Sequence, residues 1–398
     1  MDTIYIVGLV VVLALFFDFT NGFHDTANAM ATPIATGAMK PRTAVAVASV
    51  MNLAGAFLST AVATMISVGM VNDATTLKPE IVFAGLTGAI LWNLTTWFLG
   101  LPSSSSHALF GGLIGAVAAA AGFGAINLDS ILQKIIYPAL FAPVIAGLAA
   151  WLATRLAYAI TARSTDDDLA TGRNRFRYGQ IFSSSLVALS HGTNDAQKTM
   201  GVITLVLVAG GLQKDGSHVE LWVVLAAALV IALGTFSGGW RIIKTMGKGL
   251  AEVKPAQGLA AEVATAATIL ASSKLGFALS TTQVASGSII GSGLGRSGGK
   301  VRWNKAGQVV LGWVFTLPAA AIVGAISTAL VLAGPAGLII DAVVTVGVII
   351  AIFQISRRNA VTHHSVSSEI EEASEVVESA KQRKAAAKAA AKSGKAKK

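Results

Sequence analysis

The chain has 398 residues, of which 54% are hydrophobic and 13% are charged, and its formal net charge at pH 7 is +10. Soluble domains carry about 25% charged residues, so this composition excludes an ordinary soluble domain and indicates a membrane protein. The sequence contains no cysteine, which excludes disulfides, thiolate metal sites and cysteine nucleophiles.

Long stretches without charge run through the first 355 residues. A helix crosses a hydrocarbon core of about 30 Å with roughly 20 residues, and each stretch is long enough to do so. We predict hydrophobic segments at 4–38, 43–70, 80–101, 103–122, 135–160, 178–211, 220–239, 257–275, 276–295, 305–333 and 335–355. We therefore expect an all-α, polytopic protein of the cell membrane with about 10–12 transmembrane segments, some of them broken or re-entrant. The start of the chain lacks a basic region, so its first segment is expected to be a retained helix.

The first segment contains an unusual polar stretch, NGFHDTANAM, at residues 21–30. Asn21 and Asp25 are spaced i, i+4, and Asp25 and Asn28 are spaced i, i+3, so all three face one side of a helix. Buried carboxylates are costly in a membrane and usually belong to ion pathways or proton relays. We predict that Asp25, His24 and Asn21 bind a coupling cation or proton, and that Asn28 contacts the substrate.

Asp18 precedes this polar stretch on the same predicted helix. It is interpreted either as a further member of the same site or as a cap for a break in the helix. The residue types alone favour neither interpretation.

The next motif, GLPSSSSHALFGGLIG, covers residues 100–115. Pro102 lacks an N–H group and disfavours helix in the residue before it, so a helix is predicted to begin just after it. Free N–H groups and the positive dipole end at such a start attract anions, and hydroxyls in the first turn add donors. We predict that Ser104, Ser105 and Ser106 bind a tetrahedral oxyanion, and that the glycines after them form a helix-packing surface.

Both motifs recur in the second half of the chain, in the same order. NGFHDTANAMA (21–31) aligns with HGTNDAQKTMG (191–201) at an offset of 170 residues, and GLPSSSSHALFGGLIG (100–115) aligns with GFALSTTQVASGSIIG (276–291) at an offset of 176. Asp195 is the second candidate for the cation or proton. The further candidates for binding the substrate are Asn194, Gln197, Lys198, Ser280, Thr281 and Thr282.

Duplicated halves with polar interruptions at corresponding positions are typical of secondary transporters, whose substrate lies between the repeats near the middle of the membrane. We assign transmembrane repeat 1 to 1–160, a cytoplasmic loop to 161–177, transmembrane repeat 2 to 178–330, a C-terminal transmembrane helix to 331–355 and a charged, disordered tail to 356–398. Half of the positive excess lies in this tail and the rest in short loops, so no nucleic-acid partner is indicated.

The motifs contain ligands for a cation as well as for an anion. Carboxylate and amide oxygens, together with carbonyls from an unwound helical segment, suit Na⁺, and Asp25 and Asp195 are the candidate metal ligands. Lys198 or a co-transported cation would offset the charge of the anion. Three histidines of the motifs either carry protons or bridge helices through hydrogen bonds: His24, His107 and His191.

With these motifs the chain resembles the inorganic phosphate transporter (PiT) family, whose members carry two G-A-N-D-x-A-N-A-type stretches with P-S-S-S-H and P-x-S-T-T segments. The resemblance covers about residues 1–355 and all four motifs in order, and it is nearest to the bacterial low-affinity branch. It implies an inverted-repeat transporter, forming a homodimer in the lipid bilayer, that imports phosphate by symport with a cation. In this branch the cation is typically H⁺, and the substrate is often a metal–phosphate complex. Beyond these ions no cofactor is expected.

The sequence departs from the family pattern at four positions. His24 stands where many members have Asn, Gln197 and Lys198 stand where the second copy has Ala-Asn, and Ala278 replaces the second proline. A lysine in place of a coordinating amide removes one Na⁺ ligand, which favours H⁺ coupling over Na⁺ coupling.

A sulfate permease on the same scaffold is the nearest alternative function, because sulfate is also tetrahedral. Phosphate near pH 7 carries protons that Asp25 or Asp195 can accept, whereas sulfate has none to donate, so phosphate is favoured. An intramembrane hydrolase using Ser106 and His107 is more remote, since adjacent side chains on a helix diverge by about 100°. An anion channel is also more remote, because buried carboxylates and a fixed central anion site favour alternating access. We predict a transporter and not an enzyme.

Overall fold

The computed structural model describes residues 2–72, 77–161, 166–358 and 361–362. Nearly all of the predicted tail, 356–398, lies outside these residues. Within them the chain is helical, and its extended pairings are two isolated bridges, Val71 with Ile126 and Ala251 with Val301. The two bridges lie at corresponding positions of the two halves.

The helices agree in order with the predicted hydrophobic segments. The first half contains α1 (Thr3–Ala35), α2 (Pro41–Gly55), α3 (Ala61–Gly69), α4 (Pro79–Phe98), α5 (Ser105–Ala121), the short α6 (Leu128–Ile131), a π-helical turn (Leu132–Ile136) and α7 (Tyr137–Thr161). The second half contains α8 (Asp166–Ala209), α9 (Leu221–Ser237), α10 (Trp240–Gly249), α11 (Pro255–Lys274), α12 (Thr281–Gly295), α13 (Trp303–Val331) and α14 (Pro335–Arg358).

Proline and glycine set the ends of several helices. α2, α4, α11 and α14 all begin at a proline, whose fixed φ suits the first helical turn and whose missing N–H is not needed there. Gly100 and Gly276 follow α4 and α11 with φ of 66° and 69°, a conformation that glycine adopts without strain. These two matched glycines turn the chain into the two hydroxyl motifs.

Among the residues that the structure describes, five helices are long and apolar enough to cross a membrane: α1, α4, the span that includes α7, α13 and α14. The pair α9 and α10, bent by 68° at a short break, adds a sixth span if it is counted as one. The sequence-based figure of about 10–12 segments also counts helices that are shorter or more polar and therefore do not meet this criterion, namely α2, α3, α5, α8, α11 and α12.

The helix is not interrupted at the first polar motif. α1 is continuous through residues 21–30, and α8 is continuous through residues 191–200. The expectation that an unwound segment here contributes backbone carbonyls is therefore wrong. These stretches contain neither a proline nor a pair of glycines that would open the helix, and several of their polar side chains, among them Asp25, Asn28 and Asp195, form hydrogen bonds with neighbouring helices. The breaks lie before α5 and α12.

The predicted loop at 161–177 also differs from the structure. Residues 166–177 form the first part of α8, so much of this polar segment is helical. The polar composition correctly separated the segment from the apolar spans, but it did not exclude a helix.

The two halves interlock. α2 and α3 of the first half pack on α8, while their counterparts α9 and α10 pack on α1. In the same way α7 packs on α11 and α12, and α13 packs on α4 and α5. Each half is therefore completed by helices of the other, and the motif-bearing helices α1, α5, α8 and α12 are brought together.

The glycines of the first hydroxyl motif allow α5 and α13 to approach closely. A Cβ atom added to Gly111 would lie 2.3 Å from the carbonyl oxygen of Leu317, and one added to Gly115 would lie 2.0 Å from that of Ala321. Small residues permit such contact between helix backbones in a membrane.

The second half repeats this contact. Cβ atoms added to Gly287 and Gly291 of α12 would lie 2.3 Å and 2.0 Å from the carbonyl oxygens of Pro143 and Gly147 of α7. The prediction that these glycines form a packing surface is confirmed, and they fix the direction in which each hydroxyl motif points.

We predict that Gly115→Ala lowers the thermal stability of the purified protein, because the added methyl group has no room against Ala321 and overpacking costs about 1–3 kcal/mol. Gly307→Ala on α13 is the matched control, since a Cβ there meets nothing within 4 Å. The melting temperature in detergent, followed by size-exclusion chromatography, is the measurement. Equal melting temperatures for the two variants would contradict this packing.

Candidate functional site

Both hydroxyl motifs form the starts of helices, as predicted. Ser104 is the N-cap of α5 and accepts a hydrogen bond from the backbone N–H of His107 at 3.1 Å. Ser280 is the N-cap of α12 and accepts from the N–H of Gln283 at 3.3 Å. Ala278 replaces the proline of the first copy, yet the second helix starts at the equivalent residue because the serine cap is retained.

Asp25 of α1 lies against both helix starts. Its Oδ2 accepts hydrogen bonds from Ser105 at 2.7 Å and Thr281 at 3.3 Å, and its Oδ1 accepts one from Thr282 at 3.3 Å. His24 Nδ1 is 2.6 Å from the same Oδ1. One carboxylate thus engages hydroxyls from the first turns of α5 and α12.

Asp195 of α8 is the counterpart of Asp25. It forms a very close ion pair with Lys198, and its Oδ2 is 2.7 Å from His191 Nε2. The Thr281 hydroxyl, whose single proton is shared between the two carboxylates, lies 3.2 Å from Oδ2, and the Asn194 side-chain amide donates to Oδ1 at 2.9 Å. Thr281 therefore contacts both carboxylates and joins the two polar helices.

Asn28 and Lys198 occupy equivalent positions in the two halves, and their contacts cross. The Asn28 amide donates to Thr281 at 3.1 Å and to Thr282 at 3.0 Å, which belong to α12. The Lys198 ammonium donates to Ser106 of α5 at 2.6 Å. The polar stretch of α1, in the first half, therefore contacts the start of α12 in the second half. The polar stretch of α8, in the second half, contacts the start of α5 in the first half.

The carbonyl oxygen of Leu279, just before α12, is the backbone group at the centre of these contacts. It accepts from Asn194 at 3.0 Å, Lys198 at 3.1 Å and Ser106 at 3.1 Å. This buried carbonyl lies outside the backbone hydrogen bonds of the helices, and side-chain donors satisfy it instead. It also helps to hold the Lys198 ammonium group in place.

His191 lies between the two carboxylates. Its Nε2 is 3.9 Å from Asp25 Oδ2 as well as 2.7 Å from Asp195, and its Nδ1 is 3.2 Å from Asn52 Oδ1. One ligand atom from each of His191, Asp25 and Asp195 lies within 4.8 Å of the others, a spacing that could hold a metal ion. The sequence named His191 only as one of three motif histidines, and its alignment with Asn21 was the signal that it belonged to the site.

Two predicted residues make no hydrogen bond to the hydroxyl motifs. The Gln197 carbonyl oxygen accepts from the backbone N–H of Val62 at 2.8 Å, and its amide donates to the Thr193 carbonyl. Gln197 therefore caps the start of α3 and does not line the anion site in this conformation. Asn21 is buried on α1, and neither side-chain atom has a hydrogen-bond partner among the described residues.

The cluster is closed to solvent. The most exposed of the predicted ligands is Asn28 at 6%, and the others are more completely buried. Two carboxylates and one ammonium group are thus held at low dielectric, where unpaired charge is costly and attraction between opposite charges is strong.

The interlocked helical halves and the buried charged cluster between them define a polytopic membrane transporter. The model of the phosphate transporter family matches residues 21–324. The chain belongs to the phosphate transporter family.

Several curated relatives are similar to this chain over most of its length. A probable low-affinity inorganic phosphate transporter of Mycobacterium bovis is 51% identical over 371 residues, covering 92% of this chain and 88% of the relative. A protein of the same description from Bacillus subtilis is 42% identical over 329 residues, covering 82% and 98%. The family predicted from the motifs is thus confirmed, and with it a multi-pass membrane transporter that is not an enzyme.

A solved structure described as the sodium-dependent phosphate transporter has a similar fold. The TM-score is 0.73 at 23% sequence identity, and the match covers 81% of this chain and 97% of that one. The fold of the chain is therefore that of a known transporter.

We predict that Lys198→Met destabilises the protein by about 3–5 kcal/mol, because it leaves the buried Asp195 carboxylate without its ion-pair partner. The double variant Asp195→Asn/Lys198→Met removes both charges and should recover most of that loss. With the single variant Asp195→Asn added, the melting temperatures of the wild type, the two single variants and the double variant form a double-mutant cycle. A double variant as unstable as Lys198→Met would show that the ion pair is not what stabilises this region.

Proposed function

We propose that the chain imports inorganic phosphate across the cell membrane by symport with a cation, H⁺ being favoured over Na⁺. The observation that carries the proposal is that hydroxyls at two capped helix starts, two carboxylates and one ammonium group share one buried cluster. Helix starts with free hydroxyl and N–H donors suit a phosphate anion. The carboxylates suit the cation that enters with it.

The contacts of Asp25 support coupling between the two ions. Ser105, Thr281 and Thr282 donate hydrogen bonds to its carboxylate, and the same donors would bind a phosphate placed at the helix starts. When phosphate takes these donors, Asp25 loses its hydrogen bonds. A carboxylate in that position needs a proton or a metal cation, because an unpaired charge is unfavourable at low dielectric. Phosphate and cation therefore bind together.

The position of Lys198 supports H⁺ as the coupling ion. Its ammonium group lies directly against Asp195, where a Na⁺ ion would otherwise neutralise the carboxylate. A fixed positive charge thus replaces one Na⁺. The other carboxylate, Asp25, lies beside His24 and His191, whose imidazole rings are able to accept a proton.

The acceptors in the cluster favour phosphate over sulfate. Monohydrogen and dihydrogen phosphate donate hydrogen bonds, and Asp25 and Asp195 supply buried acceptors for them. Sulfate offers only acceptors and would meet the carboxylates with repulsion. An anion channel is a weaker candidate, because the cluster is closed and its charges are paired.

The remaining expectations belong to the same proposal. The two repeats are inverted with respect to each other and rock around the cluster, two chains form a homodimer in the bilayer, and Asp25, His191 and Asp195 offer ligands if the substrate is a metal–phosphate complex. The duplicated motifs and the interlocked helices support the inverted repeats, and the spacing of these three ligand atoms supports the metal–phosphate complex. The homodimer is inferred from the resemblance to the family alone.

We expect proteoliposomes containing the purified protein to take up labelled phosphate when a pH gradient is imposed, acidic outside, with little stimulation by a Na⁺ gradient. An excess of sulfate should leave this uptake unchanged. Uptake that required Na⁺ would assign the coupling to that ion, and uptake abolished by sulfate would reject phosphate as the preferred substrate.

Asp25→Asn and Ser105→Ala should both reduce phosphate uptake, the first nearly completely and the second by about tenfold, corresponding to loss of one charge-assisted hydrogen bond of about 1.5 kcal/mol. Asp341→Asn on α14 is the matched control for the carboxylate, since Asp341 is also buried but its partner is Ser327 at 2.5 Å. Ser237→Ala is the control for the hydroxyl, because Ser237 bonds only within its own helix. Normal uptake by Asp25→Asn would contradict the assignment of Asp25 to the coupling cation.

A further inference from the structure

A second buried polar group lies on α1, before the motif that binds the helix starts. Asp18 is fully buried, and neither of its carboxylate oxygens has a hydrogen-bond partner among the described residues. Asn21, three residues further on, is also fully buried with both side-chain atoms unpartnered. Their spacing places both on the same side of α1.

Asp18 differs in this respect from the other buried acidic residues that the structure describes. Each of those has at least one hydroxyl or charged partner: Asp25 and Asp195 in the cluster, Glu262 with Thr32, Gln180 and Ser183, and Asp341 with Ser327. A buried ionised carboxylate without any partner is strongly unfavourable. The carboxylate of Asp18 is therefore expected to carry a proton or to bind a cation.

The surroundings of Asp18 supply further oxygen ligands but no neutralising contact. Thr199 of α8 faces the carboxylate, and its buried hydroxyl has no hydrogen-bond partner of its own. Of the other helices beside this part of α1, α9 has no charged residue, and α4 has only Glu80 in its first turn.

The charged groups that act on Asp18 from α8 belong to the transport cluster. They are Asp195, His191 and Lys198. Asp18 lies seven residues before Asp25, which is about 10 Å along a helix of 1.5 Å rise per residue. The group is therefore separate from the helix starts but electrostatically coupled to them.

We propose that Asp18, Asn21 and Thr199 form a binding site for the coupling cation, distinct from the site at which the helix starts bind the anion. The ligand is one small monovalent cation, H⁺ on the carboxylate or Na⁺ held by carboxylate, amide and hydroxyl oxygens. This inference rests on the proposed symport function. A cation bound at this site removes the repulsion between Asp18 and Asp195. The reduced negative charge beside the cluster then favours the binding of phosphate.

The test compares two transport assays on the full-length protein in proteoliposomes. The first measures exchange of labelled phosphate with equal phosphate on both sides and no ion gradient. The second measures accumulation of phosphate driven by either a pH gradient or a Na⁺ gradient. The variants are Asp18→Asn and the conservative Asp18→Glu, and Asp341→Asn is the control for loss of a buried acid outside both sites.

We expect Asp18→Asn to retain exchange while gradient-driven accumulation falls at least about tenfold, which corresponds to about 1.4 kcal/mol of coupling free energy. Asp18→Glu should recover part of the accumulation, and Asp341→Asn should behave as the wild type. The gradient whose effect is lost identifies the cation. Wild-type accumulation by Asp18→Asn would overturn the proposal, and so would equal loss of exchange and accumulation in a folded variant.

An infrared measurement tests the site without relying on transport. Difference spectra of the wild type between acidic and alkaline pH should contain a protonated carboxyl band that Asp18→Asn lacks, and addition of Na⁺ at fixed pH should remove the same band if Na⁺ is the ligand. A spectrum of Asp18→Asn identical to that of the wild type under both changes would overturn the site. If wild-type protein fails to exchange phosphate, the proposed function fails, and this spectrum still decides the cation site.

Discussion

The structure depends on the burial of Asp25 and Asp195 in the interior of a membrane protein. Two carboxylates cannot remain there unless hydrogen-bond donors and positive charge surround them, because the low dielectric makes unpaired charge unfavourable. The donors come from the first turns of α5 and α12, and the positive charge comes from Lys198. The groups that stabilise the two carboxylates are thus the groups expected to bind the substrate, so the stability of the fold and the proposed function depend on the same contacts.

The helix packing follows from this requirement. For hydroxyls from two separate helices to reach the same carboxylate, α5 and α12 must begin at nearly the same point inside the protein. Glycines make this possible, since Gly111 and Gly115 of α5 let it lie directly on α13, and Gly287 and Gly291 of α12 let it lie directly on α7. The partner helix in each case belongs to the opposite half. The same glycine contacts therefore both interlock the halves and place the helix starts.

The sequence was sufficient to predict the parts of this arrangement that repeat. The two motif pairs predicted the family, the two helix starts and most of the cluster, because a buried Asp or a hydroxyl run after a glycine or proline is unusual in an apolar chain. The spacing of Asn21, Asp25 and Asn28 correctly placed them on one side of a helix, but the expected unwound segment was wrong, since α1 and α8 are continuous through their polar stretches. The sequence also misplaced Gln197, whose amide caps α3, because a cap on another helix depends on tertiary contacts that spacing does not reveal. The role of His191 was missed for the same reason, because its position between two carboxylates arises only from the packing of α1 against α8.

The two halves have the same geometry but different charges at equivalent positions. Position 28 is an amide and position 198 is a lysine, and each donates to a hydroxyl at a helix start, Asn28 to Thr282 and Lys198 to Ser106. Asp195 is consequently neutralised by a permanent charge, whereas Asp25 has only histidines beside it. A symmetric cluster with two uncompensated carboxylates would need two cations for each anion. In the proposed symport, one carboxylate is neutralised by the protein itself, so we expect the charge that changes during a transport cycle to lie on the side of α1, which carries Asp25, His24 and Asp18.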